Sequence, residues 1–210
     1  MNTSTLSSTK NILFPIFLFH LGVIAASNYL VQIPVTILGF QTTWGAFTFP
    51  LIFLATDLTV RIYGAKQART IIFSAMIPAL IISYALSVLF YETKFQGFDQ
   101  LSELNTFVAR IALASFIAYV VGQLLDITIF NKLRNKKNWW IAPAMSTMIG
   151  GLIDTVIFFG IAFYKSTDEF MAANWPEIAT VDYAFKLFIS ILLFVPAYGI
   201  LMSALSKRYK

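Results

Sequence analysis

The sequence predicts an all-α integral membrane protein with six transmembrane helices and both termini on the cytoplasmic side. Three observations predict it. Of the 210 residues, 58% are apolar and only 12% charged, about half the charged share of an average soluble domain and too few to cover a water-exposed surface. Between Lys10 and Asp57 lie 46 uncharged residues, more than twice the roughly 20 that one helical crossing of a ~30 Å hydrocarbon core requires. Finally, Lys and Arg flank apolar runs instead of gathering on one polar face, so the net charge of +5 reads as topology rather than as affinity for nucleic acid. The absence of cysteine excludes a disulfide framework, a thiolate zinc site and a cysteine nucleophile.

The first helix is expected over 12–32, after a cytoplasmic tail, 1–11, that ends with Lys10. Its apolar stretch is longer than the 7–15 residues of a signal-peptide core and a second span follows at once, so it is retained as a span. Gln32-Ile33-Pro34 ends it, and Gly39-Phe40-Gln41-Thr42-Thr43 turns the chain into helix two, 44–63. Charge-poor stretches then place helix three at 68–91, helix four at 105–131, helix five at 139–163 and helix six at 180–205. The spans form a single domain, 12–205, and residues 206–210 form a second cytoplasmic tail. Pro50, Pro78, Pro143 and Pro196 fall inside or near the start of spans; Pro50, Pro78 and Pro196 are each expected to remove a helical hydrogen bond and mark candidate bends.

Orientation follows from the charges. Lys10, Arg61, Lys66, Arg69, Lys132, Arg134, Lys136, Lys137, Lys207, Arg208 and Lys210 occupy one set of segments with no acid among them, the pattern of cytoplasmic loops. The opposite loops, 92–104 and 164–182, hold Lys94 and Lys165 against Glu92, Asp99, Glu103, Asp168, Glu169, Glu177 and Asp182. Trp44 and Trp175 fall at the outer interface and Trp139-Trp140 at the inner one, where indole rings settle.

Five ionisable residues remain inside predicted spans: Asp57, Arg110, Asp126, Asp154 and Lys186. A charge at the bilayer centre costs at least ~2.5–3.5 kcal/mol, so each is a site hypothesis. Asp154 lies deepest. Arg110 and Lys186 stand within two turns of the outer ends, where a long side chain can also reach headgroups. Helical spacing lines up Ser115, Tyr119 and Gln123 with Asp126 one turn on, and Ser146 with Gly150 and Asp154. Asn28 and Gln32 share a face, and Asp57 and Arg61 stand i, i+4, close enough for mutual neutralisation. His20, the single histidine, is read chiefly as a packing residue, with a proton relay as its functional alternative. Gly150-Gly151 permit close helix contact within the chain or between two copies, so a homodimer is an open expectation. A short internal echo runs between Gly122-Gln-Leu-Leu-Asp126 and Gly150-Gly-Leu-Ile-Asp154. Carboxylates, amides and hydroxyls around an aromatic interior suit a flat, polar, neutral ligand, since a carboxylate accepts two hydrogen bonds from adjacent N–H groups and Phe or Tyr covers a ring face. No Asp-x-x-Asp or His-rich cluster suggests a metal, and no cofactor is expected. An aspartyl intramembrane protease is disfavoured, because no Gly-x-Gly-Asp pattern is present.

The stretch from Thr48 through Asp57 and Arg61 to Gly64, together with Ser27-Asn28-Tyr29-Leu30, Gln123-Leu-Leu-Asp126, Ser146 to Thr155 and Asp182-Tyr-Ala-Phe-Lys186, resembles the bacterial queuosine-precursor transporter family over essentially the whole chain. The resemblance implies a multi-pass inner-membrane importer, not an enzyme, for 7-cyano-7-deazaguanine and its aminomethyl relative, salvaged to make the tRNA nucleoside queuosine. It also implies a six-span architecture resembling the substrate-binding subunits of energy-coupling-factor transporters. A capture subunit or vitamin carrier dependent on a separate ATP-driven module is the alternative. Relatives in the wider family often carry an acid where this chain has Arg61, which weakens a binding role there. On this reading Asp126 or Asp154 takes the guanine edge, Asn28 and Gln123 orient the ring, Asp57, Ser146 and Lys186 join the substrate-binding set, and Asp57 again, with Arg61 and Arg110, serves as a gating or ion-pair residue.

Overall fold

The computed structural model describes residues 3–31, 33–37, 39–91 and 94–208; Gln32, Glu92 and Lys210, used in the sequence reading, lie outside them. Apolar runs without internal turn signals become long helices. α1 spans Thr3–Leu30, α4 Ala65–Leu89, α5 Thr106–Leu133 and α6 Ile141–Phe163. α1 therefore begins within the stretch read as a tail, and it ends where the expected turn begins. Among the described residues, five helices are long and apolar enough to cross a membrane, and a shorter apolar helix, Phe14–Leu30, lies within α1. This is an all-α membrane architecture.

The fold-back after α1 is an antiparallel hairpin, with β1 (Pro34–Ile37) paired to β2 (Phe40–Thr43). Gly39 at its tip has φ +86°, a conformation that disfavours a side chain. The second span is a short turn, α2 (Gly45–Thr48), followed after Phe49 by α3 (Pro50–Tyr63). Pro50 is thus the first residue of α3, where its missing N–H is no loss, rather than an internal break. Pro78 does lie inside α4. A two-residue ladder, β3 (Phe90–Tyr91) with β4 (Lys94–Phe95), and a 3₁₀ turn at Phe98–Ser102 lead to α5.

The last span departs most from expectation. α7 begins at Glu169, eleven residues before the predicted start, and runs to Ile189; a π-helical segment, Ser190–Phe194, connects it to α8, Val195–Arg208. The start is set by Asp168, whose carboxylate accepts the Met171 N–H at 3.0 Å as an N-cap. Pro196 sits just after the π segment. The outer loop expected over 164–182 shrinks to 164–168, and Glu177 and Asp182 become helical.

α5 stands at the centre. One apolar cluster joins Ile24 of α1, Ile52 and Val60 of α3, Ile72 of α4, Ile127 and Phe130 of α5 and Tyr198 of α8. A second joins Ile111 and Ala118 of α5 to Phe158 and Phe159 of α6 and Ala179 of α7. Exposed apolar side chains such as Ile77, Ile81, Leu193 and Ile200 cover the outside, as a lipid-facing surface requires.

Candidate functional site

α5 and α6 pack antiparallel, and their contact is built on reciprocal glycines. A methyl group placed on Gly122 would stand 3.0 Å from Cβ of Asp154 and 3.3 Å from the Gly150 carbonyl oxygen; one on Gly150 would stand 3.3 Å from Cβ of Asp126 and 3.2 Å from the Gly122 carbonyl oxygen. Each helix therefore presents a glycine to the other's aspartate. The sequence echo is the two halves of one helix contact, related by a local two-fold. Small residues allow each close approach, where even a Cβ would be crowded, and each brings a carboxyl group into the interior.

Around this pair the buried polar residues fall into three groups. In the first, among α1, α4 and α5, the Asn28 amide donates to Ser83 Oγ at 2.9 Å, and Ser115 Oγ donates to the Asn28 carbonyl oxygen at 2.5 Å. In the second, among α3, α5 and α6, Ser146 Oγ donates to Asp57 at 3.2 Å. Asp126 packs against Gly150, one turn from Ser146, and its carboxyl interacts with Asp57 and Ser146. Thr56 Oγ1 donates to Gln123 Oε1 at 2.5 Å nearby. In the third, between α3, α6 and α7, Lys186 Nζ lies 2.5 Å from Asp182 and 5.0 Å from the centre of the Phe49 ring, within electrostatic reach of Asp154.

Burial decides which of these are interior charges. Asp57, Asp126, Asp154, Asp182 and Lys186 are 1%, 0%, 3%, 0% and 7% exposed. Asp182, assigned to an outer loop by its position among acids, is instead in the core. Lys186 turns inward to it rather than out to headgroups. The available signals were the Asp168 cap and the i, i+4 spacing of Asp182 and Lys186; the run of acids around them made the segment read as a loop.

Two expectations for the arginines change. Arg61 does not pair with Asp57: among the described residues the one ion pair is Lys186 with Asp182. Arg61 Nε instead donates to the Tyr198 hydroxyl at 2.8 Å and Nη1 to the Arg134 carbonyl at 2.6 Å, while Arg134 Nη1 donates to the Val60 carbonyl at 2.7 Å. Trp139 stacks on Tyr198. These contacts tie α3, α5 and α8 together at the basic end. Arg110, at the acidic end, donates to the carbonyls of Ile161, at 2.7 Å, and of Tyr164 and Lys165. It caps the end of α6, where carbonyls lack helical partners. His20 is buried on α1.

Two adjoining small pockets mark a seam between α3, α6 and the last helix. One is lined by Phe49, Phe53, Gly151, Tyr183 and Lys186; the other by Asp57, Pro143, Phe194 and Tyr198. Pro50, Thr147 and Ser190 belong to both. The seam therefore runs from the Lys186–Asp182 pair past Asp57 to Tyr198, lined by aromatic rings, and is too narrow as it stands for a bicyclic ligand. The larger groove, between α1 and α3, is lined mostly by apolar residues such as Pro15, Phe19, Leu54 and Leu58, with no acid among them. Among the described residues no three His, Cys, Asp or Glu side chains assemble as a metal site.

The chain is 59% identical over 208 residues, 99% of its length and 94% of the relative's, to a protein of Escherichia coli (strain K12) named queuosine precursor transporter. It is 57% identical over 202 residues, 90% of this chain and 86% of the relative, to a probable queuosine precursor transporter of Haemophilus influenzae. A probable queuosine precursor transporter of Bacillus subtilis is 27% identical over 180 residues, 82% of this chain and 77% of the relative. No solved structure matches the chain. Residues 43–201 match the family model described as "Putative vitamin uptake transporter", and with this match and these identities along nearly its full length the chain belongs to the queuosine precursor transporter family, a family of transporters and not of enzymes.

Proposed function

We propose that the protein imports the queuosine precursors 7-cyano-7-deazaguanine and 7-aminomethyl-7-deazaguanine across the bacterial inner membrane, for salvage into tRNA queuosine. The observation that carries this reading is the 59% identity, along 99% of the chain, to a relative named for queuosine precursors. The basic end then faces the cytoplasm, with both termini, because short Lys- and Arg-rich segments stay inside. An architecture like that of energy-coupling-factor substrate-binding subunits rests on the family resemblance.

The seam between α3, α6 and α7 has the chemistry for the ligand. Asp154, which packs against Gly122 of α5 behind the seam, is the group we assign to the N1–H and exocyclic amine of the deazaguanine edge once the helices part, supported by its burial and its electrostatic link to Lys186 and Asp182. The ring then slides between Phe49, Phe53 and Tyr183. The cationic aminomethyl form gains from the excess of carboxylates. Gln123, with its carbonyl held by Thr56, and Asn28, held between Ser83 and Ser115, orient the ring once the helices part. Ser146 holds Asp57 near the cytoplasmic exit; Arg61 latches that exit and Arg110 clamps the outer end. Contact between two copies in a homodimer is compatible with the apolar exterior.

The test is uptake of labelled 7-cyano-7-deazaguanine by purified protein in liposomes without ATP. Uptake is expected, and Asp154→Asn abolishes it. Dependence on added ATPase subunits would favour the capture-subunit reading. Normal uptake in both Asp154→Asn and Asp126→Asn would remove these carboxylates from the site.

A further inference from the structure

Asp57 and Asp126 have an unusual relation for two acids in a membrane interior. They come from different helices, α3 and α5, and both face the same turn of α6, where Ser146 bonds Asp57 and Gly150 packs on Cβ of Asp126, so that their carboxyl groups interact; among the described residues neither is in an ion pair. Both are buried, and neither oxygen of Asp126 accepts a hydrogen bond from a fixed donor, although 0% of the residue is exposed. The one hydroxyl aimed at the pair, Ser146 Oγ, favours Asp57, at 3.2 Å. Two carboxylates in contact away from water cannot both be charged. A single proton between them satisfies the orphaned oxygens, and the remaining negative charge keeps the Ser146 hydroxyl.

The surrounding ionisable groups leave that proton unreplaced. On α3 itself, Arg61 is bonded to Tyr198 and the Arg134 carbonyl; its charge is felt by Asp57, but it makes no ion pair with it. From α8, the Tyr198 hydroxyl is held by Arg61. From the end of α5, Arg134 is committed to the Val60 carbonyl. From α6, Asp154 packs against Gly122, one turn from Asp126. From α7, Lys186 is committed to Asp182, and α1 carries the buried His20. The small pocket lined by Asp57 also touches Tyr198 at the basic end and borders the π-helical segment, a form often found at functional sites, so a proton leaving the pair has a cavity beside it on that side.

We infer that Asp57 and Asp126 form a proton-binding site, one proton shared between two carboxyl groups, and that this proton crosses with the substrate and drives its accumulation. The step is a bare proton transfer. The pair takes one proton from the outer side, and releases it to the cytoplasmic water when the Arg61–Tyr198 latch opens. The inference rests on the transport reading above but adds its energy source.

The experiment uses the full chain in liposomes with the membrane potential clamped and a pH difference of one unit imposed, labelled 7-cyano-7-deazaguanine being the probe. One pH unit is a tenfold difference in proton activity, so coupling of one proton per substrate accumulates the label up to about tenfold on the alkaline side. Asp57→Asn and Asp126→Asn are expected to bring that ratio toward one. Rapid uptake by the unmodified protein that only equilibrates, or accumulation that follows a sodium gradient instead, overturns the inference while leaving the transport reading intact. No uptake under any gradient overturns the transport reading instead. Should either variant fail to transport, infrared spectra recorded across a pH titration locate the proton without substrate. A titrating carboxyl band lost in Asp57→Asn and in Asp126→Asn, and kept in Asp154→Asn, supports the pair; a band lost only in Asp154→Asn overturns its assignment.

Discussion

Replacing Lys186 with Met separates a buried charge from its counter-ion, and the structure sets both the size and the asymmetry of the effect. Asp182 is 0% exposed and lies 2.5 Å from Lys186 Nζ. Removing one partner of such a pair costs about 3–5 kcal/mol, because the other charge stays buried without compensation. At roughly 2–4 °C of melting temperature per kcal/mol for a chain of this size, Lys186→Met lowers the midpoint by about 6–20 °C. Asp182→Asn costs less, because Lys186 keeps the Phe49 ring face at 5.0 Å and has Asp154 within reach. The double variant Lys186→Met/Asp182→Asn removes both charges and is predicted to recover most of the loss, as buried pairs replaced together often do. Thermal unfolding of the four proteins in detergent closes the cycle. A Lys186→Met protein as stable as its parent, or a double variant no better than the sum of the single losses, would refute the reasoning.

Three further outcomes follow from the helix contacts. Gly150→Leu forces side-chain atoms beyond a Cβ position already 3.2 Å from the Gly122 carbonyl and the Phe53 ring and is expected to destabilise by at least ~1–3 kcal/mol, whereas Gly150→Ala stays near neutral because helix propensity recovers roughly 0.5–1 kcal/mol; melting curves compare them. Arg110→Ala frees the carbonyls at the end of α6 and raises hydrogen exchange in the segment 161–167, and Arg110→Lys recovers this only in part, since an ammonium cannot reproduce the guanidinium fork. Arg61→Ala unlatches the basic end; because the chain has no cysteine, a single Cys placed at the buried Ala142 reports it through faster labelling by a water-soluble maleimide, and unchanged labelling would leave Arg61 without a latch role.

Features with a one-dimensional signature were legible in the sequence. Apolar length predicts six spans, and among the described residues it yields five helices long and apolar enough to cross a membrane plus the shorter apolar stretch Phe14–Leu30; the inward faces of α5 and α6 follow from spacing, so that Ser115, Tyr119, Gln123, Asp126, Ser146 and Asp154 are all buried. What spacing leaves open is the partner across the helix contact. Asp57 and Arg61 satisfy the i, i+4 rule, but a partner from α8 and a carbonyl beyond α5 offer Arg61 better geometry, while Asp57 turns to α5 and α6. Asp182 was hidden for a different reason: neighbouring acids made a helical turn look like a loop. The Gly122 and Gly150 echo carried more information than its length suggests, because it encodes a contact between two helices and not a repeated domain.

That reciprocal contact also bears on how the chain enters the bilayer. α5 and α6 have apolar windows of mean hydropathy 1.8 and 1.7, yet each carries an aspartate that costs about 2.5–3.5 kcal/mol at the centre of a lone inserted helix. Neither helix conceals its own acid; the glycine that receives it belongs to the other. Leaving the insertion machinery one at a time, each would expose a carboxyl group to lipid, whereas leaving as a closed hairpin, joined by the short 134–140 connection, they bury both. The glycine pairing thus favours biogenesis by twos, and a bulky substitution at either glycine, such as Gly150→Leu, would be felt during synthesis, as lowered membrane insertion, before it was felt in transport.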